Sequence, residues 1–368
     1  DGELTLEARL VYEALLEKGP LDTLELRRAA RLTDPSSSRF NRALDSLQVE
    51  MKILPKAKAP CHMTFRRLLQ TIVTPEELES LIGEFHQSRM RKEGETIYSM
   101  DGKTVRGTIP SGETHGTHLL SVFTPEQGLV LAEAKVDRKE NEIVVAPKLL
   151  KAVNLKGAIV IGDAMHTQRS MSEQILQAGG NYIWTVKGNQ ARTEWALQKL
   201  FVHEAVNVQK GACLSKDIRV ASQVNKGHGR REKRTIWVSS ELNTYLDWPG
   251  VKQVFRLERV IWHEKRQGTT REVVYGLTGL APQQASPKKL LRLNRKYWGI
   301  ENGLHYRRDV TLHEDETRLT VGQSGHIMAI LNNVVIGLCL RHGHPNLAKA
   351  RRLFNAKPAE ALKLILGS

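Results

Sequence analysis

The sequence predicts an α/β chain: a mixed sheet with flanking helices and a β-rich insertion, preceded by a small helical domain. Three observations predict it. Helical periodicity runs through residues 6–54 and gives way to short apolar strands from residue 97. Two of those strands run directly into a lone aspartate, Asp101 and Asp163. Strand patterns then return inside a strongly basic stretch, ahead of one more amphipathic helix.

The helical part comes first. LEARLVYEALLEKGP has apolar residues at helical spacing and stops at Gly19-Pro20. DTLELRRAARL follows with Asp22 placed as N-cap. DPSSSRFNRALDSLQVEMKIL gives a third helix, opening at 36–38 and closing on the apolar run 51–54. Short helices followed by a strand-like end make a winged-helix pattern, so residues 1–57 are expected to form a winged-helix-like domain. Arg39 and Arg42 would sit on its recognition helix. Residues 1–60 carry ten basic and ten acidic side chains, and this neutral balance leaves DNA and a protein partner equally open. PKAKAP at 55–60 reads as a linker. Residues 58–96 read as a helical connection, with Glu76, Glu77 and Glu79 after Pro75 marking a helix start.

From residue 97 the strands IYSMD, HLLSVFTP (118–125) and GLVLAEAKV (128–136) form a meander. NEIVVAPKLLKAV is a helix with Asn141 as N-cap, and GAIVIGDA (157–164) is a short buried strand. TQRSMSEQILQAGG is a helix stopped by Gly179-Gly180, and NYIWTVKGN is a further strand. The order β-β-β-α-β-α-β is that of an RNase H-like sheet, in which the first and fourth strands are neighbours. Residues 97–189 would be the first part of this core and 190–288 the basic insertion, with VFRLERVIW and REVVYGLTGL as strands. Residues 289–345 would return a helix and its successor to the core, and 346–368 would add a C-terminal helix. Such a layout brings Asp101 and Asp163 face to face.

Carboxylates placed this way suit hard divalent cations, which take oxygen ligands and keep waters and phosphate oxygens around them. Two such ions about 3.5–4 Å apart stabilise both the attacking and the leaving oxygen of a phosphodiester displacement. A third acid would complete the set if a helix packed on the same sheet edge carried one. LLRLNRKYWGIENGLHYRRDVTLHEDETRL supplies candidates. On a continuous helix over 290–308, Glu301 shares a face with Asn294, Tyr297, Trp298, Leu304, His305 and Arg308. Asp309, Glu314, Asp315 and Glu316 compete with it, Asp309 lying close enough round the helix to help shape the same pocket, and spacing alone does not choose. His166, three residues after Asp163, could serve as a general base or phosphate contact, a base that two-metal chemistry does not require.

Charge narrows the partner. The chain has 55 Lys and Arg against 40 Asp and Glu, a formal +15, which points to a polyanion, most often nucleic acid. Residues 191–300 hold 21 basic and nine acidic side chains, so most of the excess sits in one structured segment. Cys61, Cys213 and Cys339 are scattered with no CxxC pair, which speaks for a reducing compartment and against a zinc ribbon or disulfide scaffold. No run of about 18 apolar residues suggests a membrane span, and the polar first residues show no signal peptide. A cytoplasmic protein without membrane contact is the expectation.

The motifs MDGKTVRG, KVDRKENEIVVAPKLL, GDAMHTQ, NYIWTVKGNQ, GHGRREKR and YWGIENGLHYRRDVTLHEDETR together resemble the H-repeat-associated transposases, a family of bacterial DDE insertion-sequence transposases. The resemblance runs from about residue 60 to 335. It implies an RNase H-like core that cuts DNA at element ends and joins the 3′-hydroxyl to target DNA, using two Mg²⁺ or Mn²⁺ ions. Its acidic residues match Asp101 in DGK, Asp163 in GDAM and Glu301 in WGIEN. It further implies a homodimer on double-stranded DNA, a nucleoid-associated location, and DNA contacts from the insertion through His228, Arg230 and Arg231. Lys103, Arg106, Lys187, Asn189, Gln190 and Arg308 would reach phosphates near the acids, with His166, Tyr297 and Asp309 as accessory residues. The family usually has His at Tyr297, Trp at Tyr306 and an aliphatic residue at Arg308, and its N-terminal region does not look like residues 1–57. The alternative is therefore a catalytically retired, domesticated DNA-binding scaffold or regulator, possessing a protein partner through 1–57. Retention of all three acids argues against it.

Overall fold

The computed structural model describes residues 5–18, 21, 23–32, 38–49, 64, 67, 71–90, 94–209, 217–227, 229–263 and 268–366. The chain divides into two compact units, Asp1–Leu68 and Leu69–Ser368. In the first, α1 (Leu6–Lys18), α2 (Thr23–Ala29) and α3 (Ser38–Val49) enclose a small core that includes Ala8, Val11, Phe40 and Leu47. Arg39 and Arg42 are exposed on α3. The strand-like end expected at 51–54 and the linker at 55–60 lie outside the described residues.

The second unit opens with α4 (Pro75–Ser88), whose Pro75 occupies the first turn and whose Glu76 and Glu77 face its positive end. Nine strands then form one sheet: β1 (Ile97–Val105), β2 (Thr117–Thr124), β3 (Leu129–Val136), β4 (Ile159–Gly162), β5 (Asn181–Val186), β6 (Arg219–Gly227), β7 (Arg230–Ser239), β8 (Gln253–His263) and β9 (Gly268–Thr278). Their spatial order is β3-β2-β1-β4-β5-β9-β8-β7-β6. β1 pairs with β4, and β4 with β5, in parallel, while the other neighbours are antiparallel. The helices are α5 (Glu142–Lys151), α6 (Arg169–Gln177), α7 (Ala191–Gln209), α8 (Pro287–Ile300), α9 (Ser324–Arg341), α10 (Leu347–Ala356) and α11 (Pro358–Leu366).

Two features differ from the sequence-based expectation. β1 does not stop at Asp101 but continues to Val105, because Gly102, Lys103, Thr104 and Val105 are paired in turn with Leu120, Leu119, His118 and Thr117 of β2. The insertion, expected as a β-rich segment between core elements, begins with the helix α7, and its strands continue the core sheet through the pairing of β9 with β5.

Alternation along β1 and β4 decides which residues meet α8. Ile97, Ile159 and Ile161 pack with Leu290, Leu291 and Leu293 of α8, while Tyr98, Met100 and Val160 join the opposite core with α5, α6 and α7. Ser99 then donates to the Lys296 carbonyl of α8 at 3.3 Å. Full burial of each α8 leucine contributes about 1.5–3 kcal/mol, so these three side chains hold the helix on that face. Ser286 caps α8 by accepting from the Lys289 amide, with Pro287 at the first position. α9 is long and apolar enough to cross a membrane by length and composition, but more than half of it is buried within the fold, where Ile327, Ile330 and Ile336 are covered.

The seam between core and insertion depends on a close approach. Gly276 of β9 lies between Thr185 of β5 and Phe255 of β8. A Cβ there would collide with the Phe255 ring and the Trp184 carbonyl. Gly276→Val is therefore expected to destabilise the second unit by about 1–3 kcal/mol or more through overpacking. Urea unfolding followed by tryptophan fluorescence measures it, and an unchanged midpoint would show that the seam tolerates a side chain.

Candidate active site

Asp101, Asp163 and Glu301 line one pocket of about 290 Å³. The β1–β4 register pairs Met100 with Gly162, so the next residue of each strand, Asp101 and Asp163, emerges side by side towards α8. The Asp163 carboxylate accepts from the backbone amides of Met165 at 2.9 Å and His166 at 3.4 Å, a local turn that orients it. Three bonds hold that turn against the end of β5. Thr167 donates to the Thr185 carbonyl at 2.5 Å, Asn189 to Ala164 at 2.5 Å and Gln190 to Thr167 at 3.0 Å. Asn189 and Gln190, expected at DNA, are thus engaged in supporting the Asp163 loop. Lys187 remains exposed and lines the pocket.

Glu301 arrives differently from expectation. α8 ends at Ile300, and the chain continues as two π-helical turns, Glu301–His305 and Arg307–Thr311. Such turns widen the helix and shift every following side chain round it. Asn294, Tyr297, Trp298 and Glu301 still face the pocket, whereas Leu304 is in a core with Ile300 and Ile336. The four competing acids all have cationic or amide partners. Asp309 pairs with Lys103 at 2.5 Å, Asp315 with Lys103 at 3.6 Å and with the Arg106 amide at 2.9 Å, Glu314 with Arg308, and Glu316 with His313 at 3.0 Å.

Arg308 needs correction as a DNA contact. It is fully buried, and its guanidinium bonds Glu314 at 2.9 and 3.0 Å, Glu133 at 3.1 Å and Asn333 at 3.5 Å. Lys103 needs the same correction, since it is buried between Asp309 and Asp315. Asp309 in turn is that lysine's partner, not a pocket residue. Arg106 is exposed. His166 is fully buried on the other side of the sheet, its Nε2 3.1 Å from Glu142. His118 approaches the same Glu142 at 2.8 Å, under Gly102, where a Cβ would collide with that carboxylate. Burial alone would raise Glu142, but the two histidines hold it down at about 2. Arg230 and Arg231 are exposed at the start of β7 and do not line the pocket; His228 lies outside the described residues. The pocket's other cations, Arg234 of β7 and Arg259 of β8, lie within the GHGRREKR motif and the VFRLERVIW strand, but the sequence reading does not single them out. Arg234 lies at even strand spacing from Arg230, and that alternation was the available signal. Arg259 also stacks over the Trp298 ring at 5.4 Å.

The acids are strained electrostatically. Burial, reinforced by the charges of Glu142, Asp163 and Glu301, pushes Asp101 up to about 7. Burial and the charges of Asp101, Asp163 and Glu301 keep Tyr297 protonated, so its phenol donates to Asp101 at 3.3 Å. His305 stands 3.6 Å from the other Asp101 oxygen, and burial beside Arg308 and Lys103 lowers it to about 3, leaving it neutral. Among the described residues no three acidic, histidine or cysteine side chains close on a common metal point.

Asp101 holds a proton in the folded chain that the unfolded chain, with an ordinary carboxyl near 3.8, has released. Its ionisation therefore costs stability as pH rises from about 4 to about 7. In metal-free buffer Asp101→Asn is expected to melt with wild type at pH 4 and several degrees above it at pH 7.5; a gap independent of pH would contradict this. Arg308→Ala leaves Glu133 and Glu314 buried without their cation, and a loss of about 3–5 kcal/mol is expected in urea unfolding. A loss below about 1 kcal/mol would mean the pair behaves as a surface bridge.

Residues 92–336 match the sequence profile of the family described as Transposase DDE domain. YbfL of Escherichia coli strain K12 is 28% identical over 287 residues, covering 76% of this chain and 73% of YbfL. The "H repeat-associated putative transposase YhhI" of the same strain is 26% identical over 287 residues, with the same coverage. A piggyBac transposase synaptic complex with hairpin DNA overlays on 94% of this chain and 66% of its own, at 12% identity and a TM-score of 0.38, a likeness too slight to carry an argument. With most of its length inside the profile match, and with H repeat-associated proteins among its relatives, this chain belongs to the family of DDE transposases.

Proposed function

We propose that this transposase cuts DNA at element ends and joins the freed 3′-hydroxyl to target DNA, through an RNase H-like core that binds two Mg²⁺ or Mn²⁺ ions. The observation that carries the reading is the meeting of Asp101, Asp163 and Glu301, distant in sequence, in one pocket with Lys187, Arg234 and Arg259. The donor set fits hard cations, being carboxylate oxygens with no thiolate or free imidazole among the pocket residues. The raised Asp101 is a carboxylate among carboxylates, which a nearby divalent cation would return to its ionised form. Bound there, the ions would supply activation of water or the 3′-hydroxyl and stabilisation of the leaving oxygen.

The chain's own residues have separable tasks in this reading. Asp101, Asp163 and Glu301 hold the ions, and Tyr297 orients Asp101 through its phenol hydrogen bond. Lys187, Arg234 and Arg259 bind phosphate oxygens of the strand to be cut, and Arg106, Arg230 and Arg231, all exposed, contact the backbone further out. Phosphate contacts of this kind position DNA without reading its sequence. Bringing two element ends together calls for self-association on DNA. The N-terminal unit, with Arg39 and Arg42 exposed on α3, takes part in recognising DNA or a protein partner.

The test is a Mn²⁺ titration of wild type and Asp163→Ala, with calorimetry for the metal and nicking of supercoiled plasmid for the activity. Both signals are expected in wild type, and both are expected to be lost in the variant. Absence of metal binding and nicking in wild type, with salt-dependent DNA affinity intact, would sink the enzyme and favour a retired scaffold.

A further inference from the structure

A second groove, of about 850 Å³, lies between the π-helical turns that follow Glu301 and the start of α10. The reaction proposed above makes no use of it. Its character is opposite to that of the catalytic pocket: no acidic residue lines it, whereas Asp101, Asp163, Glu301 and Glu272 line the other. Arg307, Arg351 and Arg352 line the groove. Its exposed apolar surface comes from Tyr306 and Val310, at 56% and 51% exposure.

The groove is built rigidly. Arg307 donates to the Gly303 carbonyl at 2.6 Å and to the Pro345 carbonyl at 3.1 Å. From the other wall, Arg351 donates to the Thr311 carbonyl at 2.7 Å. These bonds tie the two walls together. A carbonyl orients a guanidinium without cancelling its charge, and among the described residues no carboxylate pairs with Arg307, Arg351 or Arg352. The groove therefore presents fixed, uncancelled positive charge beside a flat exposed ring.

It also begins one turn from the catalytic pocket. Trp298 lines that pocket and is 38% exposed, and Asn302 donates to its carbonyl at 3.0 Å. Trp298, Asn302, Tyr306 and Val310 are all exposed, so exposed side chains recur from the pocket's edge at Trp298 into the groove. A positively charged groove with aromatic side chains along it is the surface that binds unpaired nucleic acid, because every base has a face to stack and every nucleotide a phosphate. The volume suits a ligand of a few nucleotides and not a duplex.

We infer that this groove binds the unpaired DNA strand beside the cut, with Tyr306 stacking on a base and Arg352, Arg351 and Arg307 facing phosphates. The inference rests on the DNA-cutting reading for what enters the groove, not for the chemistry of binding. Fluorescence anisotropy on the full chain tests it, with labelled oligo-dT and, separately, an arbitrary duplex of equal length. Tyr306 and Arg352 are exposed, and melting curves check that the variants fold. Tyr306→Ala is expected to weaken oligo-dT binding about tenfold or more, the loss of one stacked base, while Tyr306→Phe retains it and duplex affinity does not change. Arg352→Ala is expected to lower the slope of log affinity against log salt by about 0.7, the value for one phosphate on a single strand. Unchanged oligo-dT affinity in Tyr306→Ala, or an equal loss for duplex, would overturn the assignment. So would an oligoglutamate peptide that displaces oligo-dT and is equally sensitive to Tyr306→Ala, which would make the groove a peptide site. Wild-type plasmid nicking in Mn²⁺, run alongside, separates the two readings. Nicking without the Tyr306 effect removes the groove assignment alone, and the Tyr306 effect without nicking removes the cutting reaction alone.

Discussion

The placement of Glu301 depends on a guanidinium that never meets solvent. Arg308 lies between Glu133 of β3 and Glu314 of the turn after the π-helical segment, with Asn333 of α9 completing its shell. Ser121 of β2 and Asn332 and Asn333 of α9 donate to the same two carboxylates. Burying three charges is costly unless nearly every lone pair and proton finds a partner, and here the partners come from β2, β3, α9 and the turn. A rotation of the π-helical segment by one residue would break all of these contacts together. A buried ion pair is a weak source of net stability but an effective fixer of register, and register is what a glutamate on a widened helix needs. The aliphatic contacts of Ile300 and Leu304 could be satisfied by neighbouring registers; the arginine could not.

Strand alternation distributes the remaining charge. Asp101 and Lys103 point to the α8 side of β1, and Gly102 leaves room on the other side for Glu142. Glu142 is answered by His118 and His166, and Lys103 by Asp309 and Asp315. Asp309, Asp315 and Glu142 thus have basic partners outside the pocket, and Glu272 inside it lies 3.5 Å from Arg259. Among the described residues no Lys or Arg pairs with Asp101, Asp163 or Glu301, and Glu142 adds to the repulsion on Asp101 from behind the sheet. In the proposed function, that grouping of unpaired acids, more than their count, is what a bound cation would answer.

The legible parts of the fold were those with local causes. The core strands and α5, α6 and α8 follow from alternation, caps and glycine stops, and the neighbouring of β1 and β4 follows from the order of elements. Their pairing, Met100 with Gly162, brings Asp101 and Asp163 together as that order implied. The fates of Arg308 and Lys103 were not legible, because a cation's role is set by partners far away in sequence, Glu133 for the one and Asp309 for the other. Nor was the join of insertion to core, which rests on the long-range pairing of β5 with β9. Glu301 was placed on its face by a 3.6-residue period that ends at Ile300. Its competitors could be set aside only by their ion pairs.

The continuity of the sheet has a consequence for how the pocket works. Arg234 and Arg259 sit on β7 and β8, which are hydrogen-bonded through β9 to β5, the strand whose end holds the Asp163 loop. Asp101, Arg234 and Arg259 therefore belong to one hydrogen-bonded sheet, and the Asp163 turn is bonded to the β5 end of it. Sites on strands hold geometry more closely than sites on loops. In the proposed reaction a phosphodiester would face such a wall, its anionic oxygens beside the arginines and a cation shared with the carboxylates relieving their mutual repulsion. The arginines already have partners: Arg234 pairs with Glu232 at 2.8 Å, and Arg259 with Glu232 and with Glu272, so that on Arg234 only Nη1 is left buried without a partner, while Asp101 keeps a proton it would otherwise lose. In the proposed reaction a cation among the acids and a phosphodiester beside the arginines would attract one another, so binding of either would favour the other.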